Sequence, residues 1–328
     1  MTKSILVTGA TGFVGSHMLD LLKTEEDTEI FALKRLNSSM HNVKHIEDQI
    51  KWIDGDLCDA TSMHCVLTKS DPDEIYHFGA LSWVSPSWRQ PAQYMQTNAI
   101  GTINLLEAVW DQHYGMDKTC KILTSCTPEE YGDVKPENLP ITEESLIAPV
   151  NPYAASKVAQ DAVCQSYYAS YNIPIIRTRA FNHEGPRRDK HGALASFAYQ
   201  IARIEIGKQS PVIKVGNLSA KRNFTDVRDM VKAYHLAMKL GVPGELYLIG
   251  SQNIFTIQEC LEKLIGLSTH AEEITWQVCK ELVRPTELNY LIGDISKFEK
   301  LTGWKPEISF DQMLQDILDY WRKEVCQN

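Results

Sequence analysis

Six short apolar runs punctuate the chain up to Phe181: SILVTG, EIFALKR, IKWIDGD, EIYHFGA, CKILTSC and PIIRTRAF. Between them lie helix-length amphipathic stretches such as GSHMLDLLK and NAIGTINLLEAVWDQ. Apolar runs without polar alternation suit strands buried on both faces, and long crossovers between such strands make them parallel. The pattern predicts an α/β fold, a doubly wound parallel sheet with helices on both sides. From about Asn182 the texture shifts toward loops with more Arg, Lys and Pro, which predicts a smaller α/β lobe closing over the sheet. The expected division is 1–181 for the sheet domain and 182–328 mainly for the lobe, with segments near 223–250 and 288–296 crossing back.

Composition narrows the function classes. At 328 residues with 43% hydrophobic and 23% charged positions, the chain resembles an ordinary soluble globular protein. A net charge of −9 argues against general nucleic-acid binding, which needs surplus cations for backbone phosphates. Any anionic ligand must therefore find local cations. The eight cysteines are scattered with no zinc-like spacing, so they read as reduced thiols and no metal site is expected. MTKSILVTG enters a strand pattern at once and no apolar run is long enough for a bilayer, which predicts a cytoplasmic protein without a membrane partner.

The chemistry begins at VTGATGFVGSHMLDLL, where Gly9, Gly12 and Gly15 stand at a strand-to-helix turn, with Thr11, Phe13 and Val14 among them. Glycines there allow a tight turn and let a pyrophosphate approach the helix N-terminus, where free N–H groups favour negative charge. This makes the sheet a Rossmann-type dinucleotide domain. The second strand ends FALKRLNSS, offering Lys34, Arg35, Asn37 and Ser38 where an acidic residue would select a free ribose 2′-hydroxyl. The basic choice points to a 2′-phosphate, hence NADP. Asp56 and Leu57 after the third strand, and Phe78, Gly79, Ala80 and Ser82 after the fourth, fall at strand ends lining the same crevice.

NPYAASKVAQDAV sets Tyr153 and Lys157 four residues apart at a helix start, on one face. A nearby ammonium favours the phenolate form of a tyrosine. With the glycine turn upstream, these residues make the chain resemble the extended short-chain dehydrogenases/reductases over essentially its whole length. The resemblance implies that Tyr153 is the acid/base at a sugar hydroxyl and that Lys157 is its electrostatic partner and ribose anchor. In TSCTPEEYG it makes Thr127 the hydroxyl that holds the reacting oxygen.

Within that family the resemblance is to enzymes of GDP-mannose and its derivatives. FNHEGPRR (181–188), RPTEL (284–288) followed by GDISK, and LKRLNSSMHN (33–42) resemble the 4,6-dehydratases. VGNLSAKRNFTDVRD (215–229) and GATGFVG (9–15) resemble the GDP-4-keto-6-deoxy-mannose reductases. A dehydratase needs a carboxylate to remove the C5 proton, and the resemblance puts it at Glu129. A reductase has no task for that group. Pro128 departs from the dehydratase pattern, which carries Ser or Asp there, and its fixed φ bears on where Glu129 points. Implied further are Arg222 and Arg284 at the diphosphate, Lys214 and Glu287 at the nucleoside, Asn182 at the diphosphate or sugar, Ser82 at both ligands, and His183 and Arg188 on the cofactor side. The expectation is an NADP-dependent 4,6-dehydratase of a GDP-sugar acting as a homodimer or homotetramer. An NADPH-dependent reductase is the alternative, and a non-catalytic nucleotide-binding scaffold comes third.

Overall fold

The computed structural model describes residues 2–113 and 118–327. β1 (Lys3–Thr8) turns into α1 (Phe13–Leu22), followed by β2 (Thr28–Lys34), β3 (Lys51–Asp54), α2 (Ala60–Ser70) and β4 (Glu74–His77). Two short helices, α3 (Val84–Ser87) and α4 (Pro91–Tyr94), lead through a π-helical turn into α5 (Gly101–His113). Then come β5 (Lys121–Cys126), α6 (Pro152–Tyr171) and β6 (Ile175–Ala180). Local chemistry marks the helix starts: Asp59 accepts from the Thr61 and Ser62 amides at α2, and Asn151 accepts from Ala154 at α6, where Pro152 fills the first position.

After β6 the chain builds β7 (His183–Glu184), α7 (Ala193–Glu205), β8 (Val212–Val215), β9 (Lys221–Asn223) and β10 (Thr225–Asp226). It returns to the sheet through α8 (Val227–Leu240) and β11 (Leu246–Ile249). The remaining elements are β12 (Ile254–Thr256), α9 (Ile257–Gly266), β13 (Thr275–Val278), β14 (Tyr290–Leu291), α10 (Ser296–Thr302) and α11 (Phe310–Gln327).

The main sheet has the order β11-β6-β5-β4-β1-β2-β3, parallel throughout. Alternation along β1 divides the core: Ile5 and Val7 join Met18, Leu19 and Leu22 of α1 and Met230 and Tyr234 of α8, whereas Leu6 faces Met63, Val66 and Leu67 of α2 and Leu105 and Leu106 of α5. The strand order reverses direction between β1 and β4, so their carboxyl ends open a crevice suited to a ligand. The lobe has its own core, where Phe197 and Ile201 of α7 meet Leu261 and Leu264 of α9 and Met313 and Ile317 of α11. Among the described residues no helix is long and apolar enough to cross a membrane, and no cluster of three metal-ligating side chains forms.

Candidate active site

A cavity of about 950 Å³ runs from the β1–α1 turn past the ends of β4 and β5 to β8 and the 281–287 segment. Gly9 adopts φ +66° with its α-carbon so near the next loop that a Cβ would lie 2.7 Å from the Phe78 carbonyl carbon. At Gly15 a Cβ would come within 2.2 Å of the Gly9 carbonyl oxygen. Only glycine makes this turn. Gly12 precedes α1 with no side-chain cap, so the first amides of the helix remain available toward the cavity. Such a cradle fits a dinucleotide pyrophosphate.

At the end of β2 the two basic residues diverge. Lys34 donates to Asp54 at 2.5 Å, a cross-strand pair that occupies its charge. Arg35 stays exposed on the cavity wall beside Ser38, whose hydroxyl accepts the Arg35 amide at 3.0 Å. Asn37 does not join them. A backbone bond from Ser38 to Arg35 closes a turn that leaves Leu36 and Asn37 at its exposed outer corner, away from the cavity. Asp56, Leu57, Phe78, Gly79, Ala80, Ser82, Thr11, Phe13 and Val14 all line the cavity. On its far wall the His183 ring stacks on Phe13 at 6.0 Å, and the Arg188 guanidinium lies between Phe13 (4.9 Å) and Trp83 (4.7 Å). Burial, with the Arg188 charge adding to it, lowers His183 to about 4, so the ring is neutral at physiological pH.

The segment after β5 separates its two glutamates. Thr127 caps a short 3₁₀ turn, Pro128–Tyr131, whose first position is proline. The Glu130 carboxylate turns inward, accepts the Thr127 amide at 3.2 Å and pairs with the Arg179 Nε at 2.8 Å. Arg179 also holds Asp161 of α6 at 2.5 Å and donates to the Tyr131 hydroxyl at 2.6 Å. Burial is the main force on Glu130 and raises it to about 7 against the opposing pull of Arg179. Glu129 turns the other way, into the cavity. One of its oxygens accepts from the Asn151 amide nitrogen at 2.7 Å, and the other lies 3.9 Å from Arg284.

Tyr153 and Lys157 line the same cavity. Burial holds the Tyr153 phenol well above its ordinary value, the Glu129 charge pushes the same way, and a hydrogen bond with the Thr127 hydroxyl opposes them. The Lys157 ammonium donates to the Ser125 carbonyl (2.7 Å) and to Gln160 (2.6 Å). A hydroxyl, a phenol, a carboxylate and an ammonium therefore converge at one end of a dinucleotide-sized trough. That set can move protons to and from neighbouring carbons and oxygens.

The lobe contributes cations. Arg222 is buried and donates to the Leu288 carbonyl at 2.7 Å and the Lys221 carbonyl at 2.8 Å; burial lowers it to about 10, still a cation. Arg284 is half-buried with its side chain 38% exposed, and its backbone amide donates to Glu287 at 3.1 Å. Asn182, Lys214, Arg222, Arg284 and Glu287 all face the cavity. Sequence reading missed Trp83, whose partner Arg188 lies far along the chain, and Asn151. The Asn-Pro pair before Tyr153 marks a helix cap, but nothing in the linear pattern pairs Asn151 with Glu129.

The sequence profile described as GDP-mannose 4,6 dehydratase matches residues 6–317. A GDP-6-deoxy-D-mannose reductase of Pseudomonas aeruginosa is 32% identical, covering 99% of both chains. A GDP-mannose 4,6 dehydratase of Cricetulus griseus is 29% identical, covering 96% of this chain and 90% of that one. A structure of RMD from Pseudomonas aeruginosa complexed with NADPH superposes with a TM-score of 0.81 at 30% identity, covering 98% of this chain and 100% of that one.

Proposed function

The chain belongs to the GDP-mannose 4,6 dehydratase family, within the short-chain dehydrogenases/reductases, and from that membership we propose that it removes water from GDP-mannose to give GDP-4-keto-6-deoxy-mannose. The observation that carries the choice is Glu129, directed into the cavity and tied to the residue that opens the Tyr153 helix. Dehydration needs a carboxylate at C5, and reduction at C4 does not.

NADP, when bound, would supply the hydride acceptor for C4 and the hydride donor for C6. Its pyrophosphate is assigned to Gly9, Gly12, Gly15 and the α1 amides, and its 2′-phosphate to Arg35 and Ser38. Tyr153 removes the proton of the C4 hydroxyl while Thr127 donates to that oxygen and Lys157 supplies positive charge. The resulting ketone acidifies C5. Glu129 takes the C5 proton, the C–H electron pair becomes the C5–C6 double bond, and the C6 hydroxyl departs. Pro128 has no proton to offer that leaving group, so Glu129 hands over the one it took and water forms. Glu129 then relays a solvent proton back to C5, matching the proton Tyr153 released. Arg222 and Arg284 hold the substrate diphosphate, Asn182 the diphosphate or sugar, and Lys214 and Glu287 the nucleoside.

Incubation with GDP-mannose and no added reductant should yield a product lighter by one water in the mass spectrum. In heavy water that product should carry deuterium at C5. Glu129→Gln should abolish both while leaving nucleotide binding nearly intact, and a fully active variant would defeat the assignment.

One observation favours a second reading, an NADPH-dependent GDP-4-keto-6-deoxy-mannose reductase: the Pseudomonas aeruginosa reductase is 32% identical. NADPH consumption with the 4-keto-6-deoxy sugar, and no change in GDP-mannose, would establish it instead. Binding of either nucleotide without turnover would leave a scaffold.

A further inference from the structure

Glu129 stands between two competing sets of partners. On one side is a pair of arginines: Arg284 at 3.9 Å from one oxygen, and buried Arg222, for which Glu129 is the strongest charged influence raising its basicity. On the other is a single amide donor, Asn151, at 2.7 Å from the second oxygen. A bidentate arginine pair is the stronger interaction in an isolated comparison. A carboxylate drawn fully into it would spend both oxygens on the guanidinium and turn away from Tyr153.

Asn151 is only 6% exposed, and its two functional ends do different work. The carbonyl oxygen caps α6 by accepting the Ala154 amide at 2.8 Å, while the amide nitrogen donates to Glu129. Ala154 is the residue next to Tyr153, so one side chain fixes the carboxylate relative to the phenol. Pro128 and the Thr127 cap limit the backbone freedom of Glu129 but do not choose its side-chain direction.

We propose that Asn151 is a positioning residue that holds the Glu129 carboxylate on the Tyr153 side of the cavity, against the pull of Arg284 and Arg222, in the orientation that reaches the sugar C5 proton. This inference rests on the reading of Glu129 as the C5 base.

The two tasks of Asn151 can be separated. Serine and aspartate cap helices about as well as asparagine, but the hydroxyl of Asn151→Ser is one atom shorter than the amide nitrogen that reaches Glu129 and is engaged at the cap, and Asn151→Asp sets a carboxylate against Glu129. Asn151→Ser should melt with the wild type, whereas the like-charge contact in Asn151→Asp should lower its melting temperature. Asn151→Ser should lower kcat for dehydration roughly ten- to a hundred-fold, the range for losing one charge-assisted hydrogen bond, at unchanged KM for GDP-mannose. Its isotope effect with C5-deuterated GDP-mannose should rise because C5 deprotonation becomes slowest. Asn151→Asp should lose more activity than Asn151→Ser when both are assayed well below their melting temperatures. Wild-type kcat and isotope effect in Asn151→Ser, beside an inactive Glu129→Gln, would overturn the inference and leave the base assignment standing. Losses in Asn151→Ser that appear only with a lowered melting temperature would reduce Asn151 to a cap and overturn it too. A fully active Glu129→Gln, or a wild type that never releases water from GDP-mannose, would remove both.

Discussion

Arg179 and Glu130 form a buried pair whose two halves should respond very unequally to replacement. Glu130 is fully buried and Arg179 is 5% exposed. In Arg179→Met the apolar stem is kept and Asp161 retains Arg177 at 3.2 Å, but Glu130 is left as a buried carboxylate without its cation. Stranding buried charge in this way costs about 3–5 kcal/mol, and the lost Tyr131 hydrogen bond adds about 1 kcal/mol. Against a total stability of about 5–15 kcal/mol, that is a large fraction. Glu130→Gln keeps an oxygen for the Thr127 amide and leaves the Arg179–Asp161 pair intact. It removes a charge that burial already disfavours, so its cost should stay within about 1 kcal/mol. The double variant should recover about 2 kcal/mol of the Arg179→Met loss, because the stranded carboxylate is gone. Urea unfolding followed by far-ultraviolet circular dichroism measures all three. The pH dependence has a definite sign. A carboxyl raised from its ordinary 4.5 to about 7 binds more protons in the folded state, so its contribution to stability falls as pH rises through that interval. The Arg179→Met deficit should therefore be larger at pH 8 than at pH 5. Glu130→Gln as damaging as Arg179→Met, or a double variant no better than Arg179→Met, would refute the view that burial governs this pair.

Gly15→Ala would place a methyl 2.2 Å from the Gly9 carbonyl oxygen, so NADP affinity by calorimetry should collapse while the sheet survives. Arg35→Gln should weaken NADP roughly ten- to a hundred-fold, as loss of a charged phosphate contact implies, and leave NAD nearly unchanged in the same titration. His17 donates its Nε2–H to the Pro186 carbonyl (3.0 Å) and is lowered by burial from 6.5 to about 4. Its contribution to stability is therefore complete above pH 6.5 and lost as pH falls toward 4, and in His17→Gln the melting temperature should decline less over that range.

The sheet was legible because its strands are unbroken apolar runs, and the glycine turn because its backbone geometry restricts it to one residue type. What sequence pattern could not separate were adjacent residues of one kind. Glu129 and Glu130 are neighbours with opposite fates, and what divides them is Arg179 and Asn151, distant in sequence. Lys34 and Arg35 look alike until the β2–β3 register sets Lys34 opposite Asp54. Asn37 followed from proximity to the basic pair, but a turn of four residues sends its corner positions outward. Arg188 needed Trp83, which no spacing rule connects to it. In each case the missing information was a side-chain partner brought in by tertiary packing.

The last third of the chain does not stay in its lobe. Leu288, Leu291, Ile295, Phe298 and Trp304 belong to the same core as Ile176, Phe181 and Leu248 of the sheet, and Gly293 lies so close to Phe181 that a Cβ would sit 2.0 Å from its ring. The smaller lobe is thus not a cassette. A chimera joined once near residue 182 would mix two unrelated sets of apolar side chains in a single interior and strip the sheet of its edge strand. Exchange of the lobe between relatives has to proceed through insertions, roughly 182–226 and 251–287, that leave the returning segments with their native sheet.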